Sequence, residues 1–175
     1  FPLAVYNRTK TKTHEIKKSG CKTYKSPKEL AADSDVVISM VTGPDDVKDI
    51  YLAKNGIIHG VHKGLIAIDM STIGPTAAVD VANELKKKNI DFLDAPVTGS
   101  VPKAISGELT IFIGGKKEVF EKVKEVFLAM GKNLQYMGPN GSGQAIKLIN
   151  NMIAAISVTG LAEGMLLADS LGLSR

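Results

Sequence analysis

The feature that most constrains this 175-residue chain is the alternation of short apolar runs with stretches of helical periodicity. Asp35-Val36-Val37-Ile38-Ser39-Met40-Val41 is nearly continuous in its apolar character. Such a run suits a strand buried on both faces, as in a parallel sheet. Further strands are predicted at residues 3–6, 22–24, 65–69, 90–93, 109–113 and 134–137. Between them lie helical patterns with start and stop signals. Thr9 or Thr11 is predicted to cap a helix running to Ser19-Gly20. Ser26-Pro27-Lys28-Glu29 has a cap residue, a proline at the first helical position and a glutamate three residues after the cap. Residues 45–51 form a further helix, and Pro75 opens one ending in Lys86-Lys87-Lys88, where positive charge suits the helix dipole. An amphipathic helix over 119–130 stops at Gly131, and a helix of exceptional length covers 143–171. Strand–helix repetition of this kind predicts an α/β, doubly wound sheet with helices on both faces.

Composition narrows the classes further. With 44% hydrophobic and 23% charged residues, the chain has the balance of a folded globular protein. The net charge of +4 is spread over helical surfaces without an aromatic-rich basic strip, so no nucleic-acid partner is expected. No uninterrupted apolar run of membrane-spanning length is seen; residues 148–167 come closest but contain Asn150, Asn151 and Glu163. One cysteine, Cys21, excludes an internal disulfide and fits a reducing cytoplasm. His14, His59 and His62 form no spaced set with carboxylates, so no metal is expected.

A dinucleotide-binding, Rossmann-type sheet usually begins with a strand and a Gly-rich turn, and neither stands before Phe1. In the strand order 3-2-1-4-5-6 that first strand is central. Its absence predicts a hole in the sheet and roughly 25–30 residues missing from a full domain. The expected division is an incomplete dinucleotide-binding domain over 1–142 and the start of an all-α domain over 143–175, joined by the long helix.

Four segments carry chemistry. Asn7-Arg8-Thr9 ends the first predicted strand. An arginine there accommodates a 2′-phosphate, where a carboxylate would favour NAD, although a surface arginine is an equal reading. Asp69-Met70-Ser71-Thr72 ends a central strand; its hydroxyls reach a cofactor or merely cap the helix at Pro75. Asp94-Ala95-Pro96-Val97-Thr98-Gly99-Ser100 offers hydroxyls and close backbone approach to a carboxylate, or is an ordinary loop. Gly141-Ser142-Gly143-Gln144-Ala145-Ile146-Lys147-Leu148-Ile149-Asn150-Asn151 opens the long helix. Lys147 and Asn151 share one helical face. A lysine in so apolar a helix either snorkels or has the lowered pKa of a general acid/base.

Taken together, in order and spacing, these segments resemble the 3-hydroxyacid dehydrogenase family, which includes 3-hydroxyisobutyrate dehydrogenase, tartronate semialdehyde reductase and the glyoxylate/succinic semialdehyde reductases. The resemblance runs through the whole chain. It implies hydride transfer between NADP, with NAD as the alternative, and a small 3-hydroxyacid or its semialdehyde. It makes Lys147 the acid/base and Asn151 a substrate-positioning residue, and gives the carboxylate to Thr98, Gly99 and Ser100. The cofactor falls to Asn7, Arg8, Thr9, Met40, Val41, Thr42, Ser71 and Thr72. It also implies a homo-oligomer, a dimer or tetramer. Thr98 stands for the family's usual serine and Ser100 for its second glycine, which leaves the substrate open. Without the Gly-rich turn, this chain alone is expected to bind the cofactor poorly and to be inactive. Two alternatives are a relative of 6-phosphogluconate dehydrogenase and a catalytically silent assembly domain built on the long helix.

Overall fold

The computed structural model describes residues 1–173. Its strands form two sheets. β1 (Ala4–Val5) pairs in parallel with β2 (Lys22–Thr23). The main sheet is built on β3 (Val36–Ser39), β4 (Ile66–Asp69) and β5 (Asp91–Asp94), parallel and in register from Val36↔Ile66 to Asp69↔Asp94. β3 lies at the edge of this sheet and has no ladder to the β1–β2 pair, which is the interruption expected between the second and fourth strands.

Past β5 the sheet turns mixed. β6 (Val97–Thr98) and β7 (Leu109–Gly114) run antiparallel to each other, and β7 meets β5 antiparallel at Asp94↔Gly114. β8 (Gly131–Gly138) then runs parallel to β7 along the far side. The sequence predicted only residues 134–137 of this strand. Its start, Gly131-Lys132-Asn133, is polar because the strand is partnered on one side only.

The helices cover both faces. α1 (His14–Lys18) follows a 3-10 turn over Lys10–Thr13, and Thr9 gives it no side-chain cap. Instead the Asn7 side chain accepts the Thr9 N–H at 2.8 Å and bends the chain there. α2 (Pro27–Ala32) is capped as predicted, Ser26 Oγ accepting the Glu29 N–H at 3.2 Å. α3 (Pro44–Leu52) and α4 (Pro75–Lys86) pack with α2 on one face, burying Val47, Tyr51, Ala78, Val81 and Leu85 against Val37, Ala67 and Phe92. α5 (Ser100–Ile105) is short and wholly outside both cores. α6 (Lys117–Lys122) and α7 (Lys124–Leu128) cover the other face, where Val119, Phe120 and Phe127 meet Ile66, Ile68, Leu93, Ile111 and Ile113. They replace the single helix expected over 119–130; the break falls at Val123, which leaves helical geometry at φ −109°, ψ 13° while burying its side chain. Neighbouring residues of β4 and β5 feed opposite cores, as a doubly wound sheet requires.

α8 (Ser142–Ser170) spans 29 residues. Only its first turns enter the sheet layers, burying Gly143, Gln144 and Lys147. From Leu148 onward nearly every apolar side chain is exposed. The helix is long and apolar enough to cross a membrane by length and composition, even with Asn150, Asn151 and Glu163 in its sequence.

Candidate active site

The predicted segments lie at the carboxyl ends of β1, β3, β4 and β5, where open α/β sheets bind ligands. Hydrogen bonds link them in series. Arg8 ends the β1 side and pairs with Asp46 at 3.0 Å, in the first turn of α3 just after the 40–43 loop. Within that loop the Val41 N–H donates to Ser71 Oγ at 2.9 Å, joining it to the segment after β4. The 71–74 segment is held to α8 by Gln144, and the start of α8 is held to Asp94 at the end of β5.

Asp94 organises the last junction. Fully buried, its carboxylate accepts the N–H of Gly141 at 2.8 Å and of Gln144 at 3.1 Å. It thereby satisfies two of the orphan donors at the N-terminus of α8 and sits in the favourable field of the helix. Burial raises its pKa above the ordinary carboxylate value, and the amide bonds oppose that rise. The approach needs glycines: a Cβ on Gly143 would lie 2.5 Å from the Phe112 carbonyl oxygen, and one on Gly114 would lie 2.6 Å from Asp94 Oδ1.

Asp69 anchors the neighbouring strand end. Ser39 Oγ and Ser71 Oγ donate to its Oδ1 at 2.6 and 2.8 Å, and Tyr51 closes the cluster through Ser39 at 2.8 Å. Asp69 Oδ2 is buried without a hydrogen-bond partner. Burial raises the Asp69 pKa, the serine hydroxyls oppose the rise, and nearby Asp94 adds to it. Ser71 is therefore occupied internally, whereas Thr72 beside it is exposed. Neither caps α4, whose N-cap is Gly74.

Lys147 lies two turns into α8 and is only 9% exposed. Among the described residues no hydrogen bond or ion pair engages its amine. Burial lowers its pKa from the ordinary lysine value. Asn151, one turn on, is exposed. Thr98 is half-buried in β6, and Gly99 and Ser100 are exposed at the start of α5; no hydrogen bond links them to Lys147. Gly99 has φ 133° and Ser100 φ 59°, the latter an unusual backbone for a residue with a side chain. Asn7, Arg8, Thr9, Met40 and Thr42 are all exposed. The roles of Asp94 and Gln144 escaped the sequence reading, since each acts on partners some 47–73 residues distant.

Residues 1–138 match the family described as the NAD binding domain of 6-phosphogluconate dehydrogenase. The chain belongs to that family. An uncharacterized oxidoreductase of Bacillus subtilis, YkwC, is 42% identical over 98% of the chain and 60% of its own length. The 3-hydroxyisobutyrate dehydrogenase of Mycobacterium tuberculosis, solved with L-serine, superposes with a TM-score of 0.93 at 30% identity, over 98% of this chain and 58% of its own. A structure of Psf3 in complex with NADP+ and 2-OPP gives 0.90 at 25% identity, over 99% of this chain and 62% of that one. The chain spans 52–60% of the curated relatives it matches, mouse mitochondrial 3-hydroxyisobutyrate dehydrogenase among them. The resemblance to the 3-hydroxyacid dehydrogenases drawn from the sequence is borne out.

Proposed function

We propose that this chain is part of an oxidoreductase that transfers a hydride between NADP(H) and a small 3-hydroxyacid or its semialdehyde, with Lys147 as general acid/base. The observation that carries the reading is Lys147, a residue only 9% exposed whose amine has no partner among the described residues, held by the first turns of α8 beside the carboxyl ends of β4 and β5. Burial moves the Lys147 pKa downward, in the direction that general acid–base chemistry needs.

The chain's residues fit a nicotinamide dinucleotide. The Arg8 side chain is 82% exposed and spends one N–H on Asp46, leaving donors for a 2′-phosphate. Asn7 and Thr9 shape its turn, and Met40, Val41, Thr42 and Thr72 border the same edge. A bound nicotinamide supplies the hydride acceptor or donor. In oxidation Lys147 Nζ takes the hydroxyl proton as the carbinol carbon gives up its hydride; in reduction the ammonium returns it. Asn151 orients the substrate oxygen, and Thr98, Gly99 and Ser100 bind the carboxylate. In this reading residues 1–142 serve as the nucleotide-binding part, and a helical domain starts at residue 143. A reducing cytoplasm completes the reading, on the single Cys21.

The test uses the full-length protein, NADP(H), and a panel of 3-hydroxyisobutyrate, tartronate semialdehyde and succinic semialdehyde. Turnover is expected with at least one of them, and Lys147→Ala is expected to lower kcat by about 10²–10⁴-fold. Undiminished turnover in the variant would remove Lys147 from the reaction.

A further inference from the structure

Gln144 is fully buried, polar, and one helical turn before Lys147. Its side chain makes three hydrogen bonds, all to one backbone segment. Oε1 accepts the N–H of Ile73 at 2.9 Å and of Gly74 at 3.2 Å, while Nε2 donates to the Ser71 carbonyl at 2.8 Å. The backbone N–H of the same residue donates to Asp94 Oδ2 at 3.1 Å. One residue thus ties the first turn of α8 to the ends of both β4 and β5. The segment it grips is in turn bound to the 40–42 loop through Ser71 Oγ and the Val41 N–H.

We propose that Gln144 is a positioning residue that sets Lys147 against the cofactor-side loop of residues 71–74. The proposal rests on the reading of Lys147 as the acid/base. A helix is stiff over one turn, so fixing residue 144 fixes the direction in which residue 147 leaves the axis. Among the described residues no hydrogen bond or ion pair holds the amine itself in place. Proton transfer demands hydrogen-bond reach, and a displacement of about 1 Å in such a contact can cost on the order of 10²-fold. The carboxamide suits this task because it offers an acceptor and a donor at once. Glutamate retains the acceptor for Ile73 and Gly74 but turns the donor into a second oxygen facing the Ser71 carbonyl. Methionine keeps approximate size and loses both.

Gln144→Met and Gln144→Glu in the full-length protein provide the test, with Lys147→Ala alongside. Gln144→Met is expected to lower kcat about 10–100-fold with KM for the hydroxyacid held within about threefold. The pH at which the oxidation rate reaches half its plateau is expected to move upward, as a less confined amine returns toward ordinary lysine behaviour. Gln144→Glu should lie between wild type and Gln144→Met in kcat. A purely packing role would lower Tm while leaving kcat per folded molecule and the pH profile unchanged, and that result would overturn the proposal. Failure of both variants to fold, even with NADP present, would equally mark the amide as a folding contact and overturn it. If Lys147→Ala retains turnover, the acid/base reading itself is lost. If Lys147→Ala is inactive while the Gln144 variants behave as wild type, only the positioning role is lost.

Discussion

Lys147 sets stability against activity. Desolvation favours the neutral form of the amine, so the folded protein binds its proton less readily than the unfolded chain does. Between the lowered pKa and the ordinary 10.5, the unfolded state carries more protons. Stability therefore rises with pH through that window, and the cost of burying the amine is felt in full below it. Lys147→Met removes the charge and keeps the packing. We expect a small rise in Tm at neutral pH by calorimetry, reduced by solvent screening of the amine, and a flattening of the alkaline part of the pH–stability curve. An unchanged Tm would mean that the amine is fully hydrated in solution. The same lowered pKa gives activity its pH dependence. Oxidation needs the neutral amine and should climb as pH rises through that pKa, whereas reduction needs the ammonium and should fall. Arg8 makes a separate prediction at the other end of the site. Its guanidinium is exposed and pairs with Asp46 through one N–H, so Arg8→Leu should raise Kd for NADP by at least about tenfold, with NAD changing little. Equal losses for both cofactors in titration calorimetry would place the 2′-phosphate elsewhere.

The elements differ in how much of them can be read from composition. β3, β4 and β5 are short apolar runs flanked by polar loops, and buried strands of that sort declare themselves. Ser26, Pro27 and Glu29 announce α2 because capping is local chemistry. The break between α6 and α7 is different: Val123 is a good core residue on either side of a helix, and its irregular backbone comes from tertiary packing. β6 and α5 were hidden inside what reads as a loop, since Val97-Thr98 gains its strand character only by pairing with Thr110 and Ile111. The candidate site follows the same rule. Lys147 stood out as a charge in an apolar helix, but the Asp94 cap could not be read, its partners being 47 and 50 residues away. What the sequence did show was Gly141 and Gly143, whose reason is now plain. Gly143→Ala would drive a methyl group to within 2.5 Å of the Phe112 carbonyl and 2.9 Å of Asp94 Oδ2, and both are held by the sheet. The N-terminus of α8 must then lift. We expect a loss of about 1–3 kcal/mol in urea unfolding with the m-value unchanged, together with a fall in kcat because Lys147 rides on the same turn. In the 175-residue chain Gly164→Ala, with nothing within 4 Å of the added carbon, is the matched control for unfolding and should be neutral or slightly stabilising.

At the scale of the molecule, the two cores account for the α/β layers but leave α8 unexplained. Its buried residues end at Lys147, while Met152, Ile153, Ile156, Leu161, Leu166 and Leu167 are each more than half exposed. A helix that is apolar around most of its circumference is ordinarily enclosed, and a contiguous surface of this kind marks an interface. The chain spans only 52–60% of its curated relatives. We therefore expect α8 to be enclosed in the full-length protein by further residues of its own chain, by a second subunit, or by both. Amide hydrogen exchange should show residues 152–168 strongly protected in the full-length protein and far less so in the 175-residue chain. Ile156→Glu should separate the two kinds of cover. Placed against a second subunit, the carboxylate would shift the full-length protein toward monomer in light scattering while the α/β layers keep their Tm. Placed against further residues of its own chain, it would leave the mass unchanged and lower the stability of the region packed on α8. Protection that is equally weak in both chains, with no effect of Ile156→Glu on mass or stability, would show that this face stays open to water and that the long helix joins nothing.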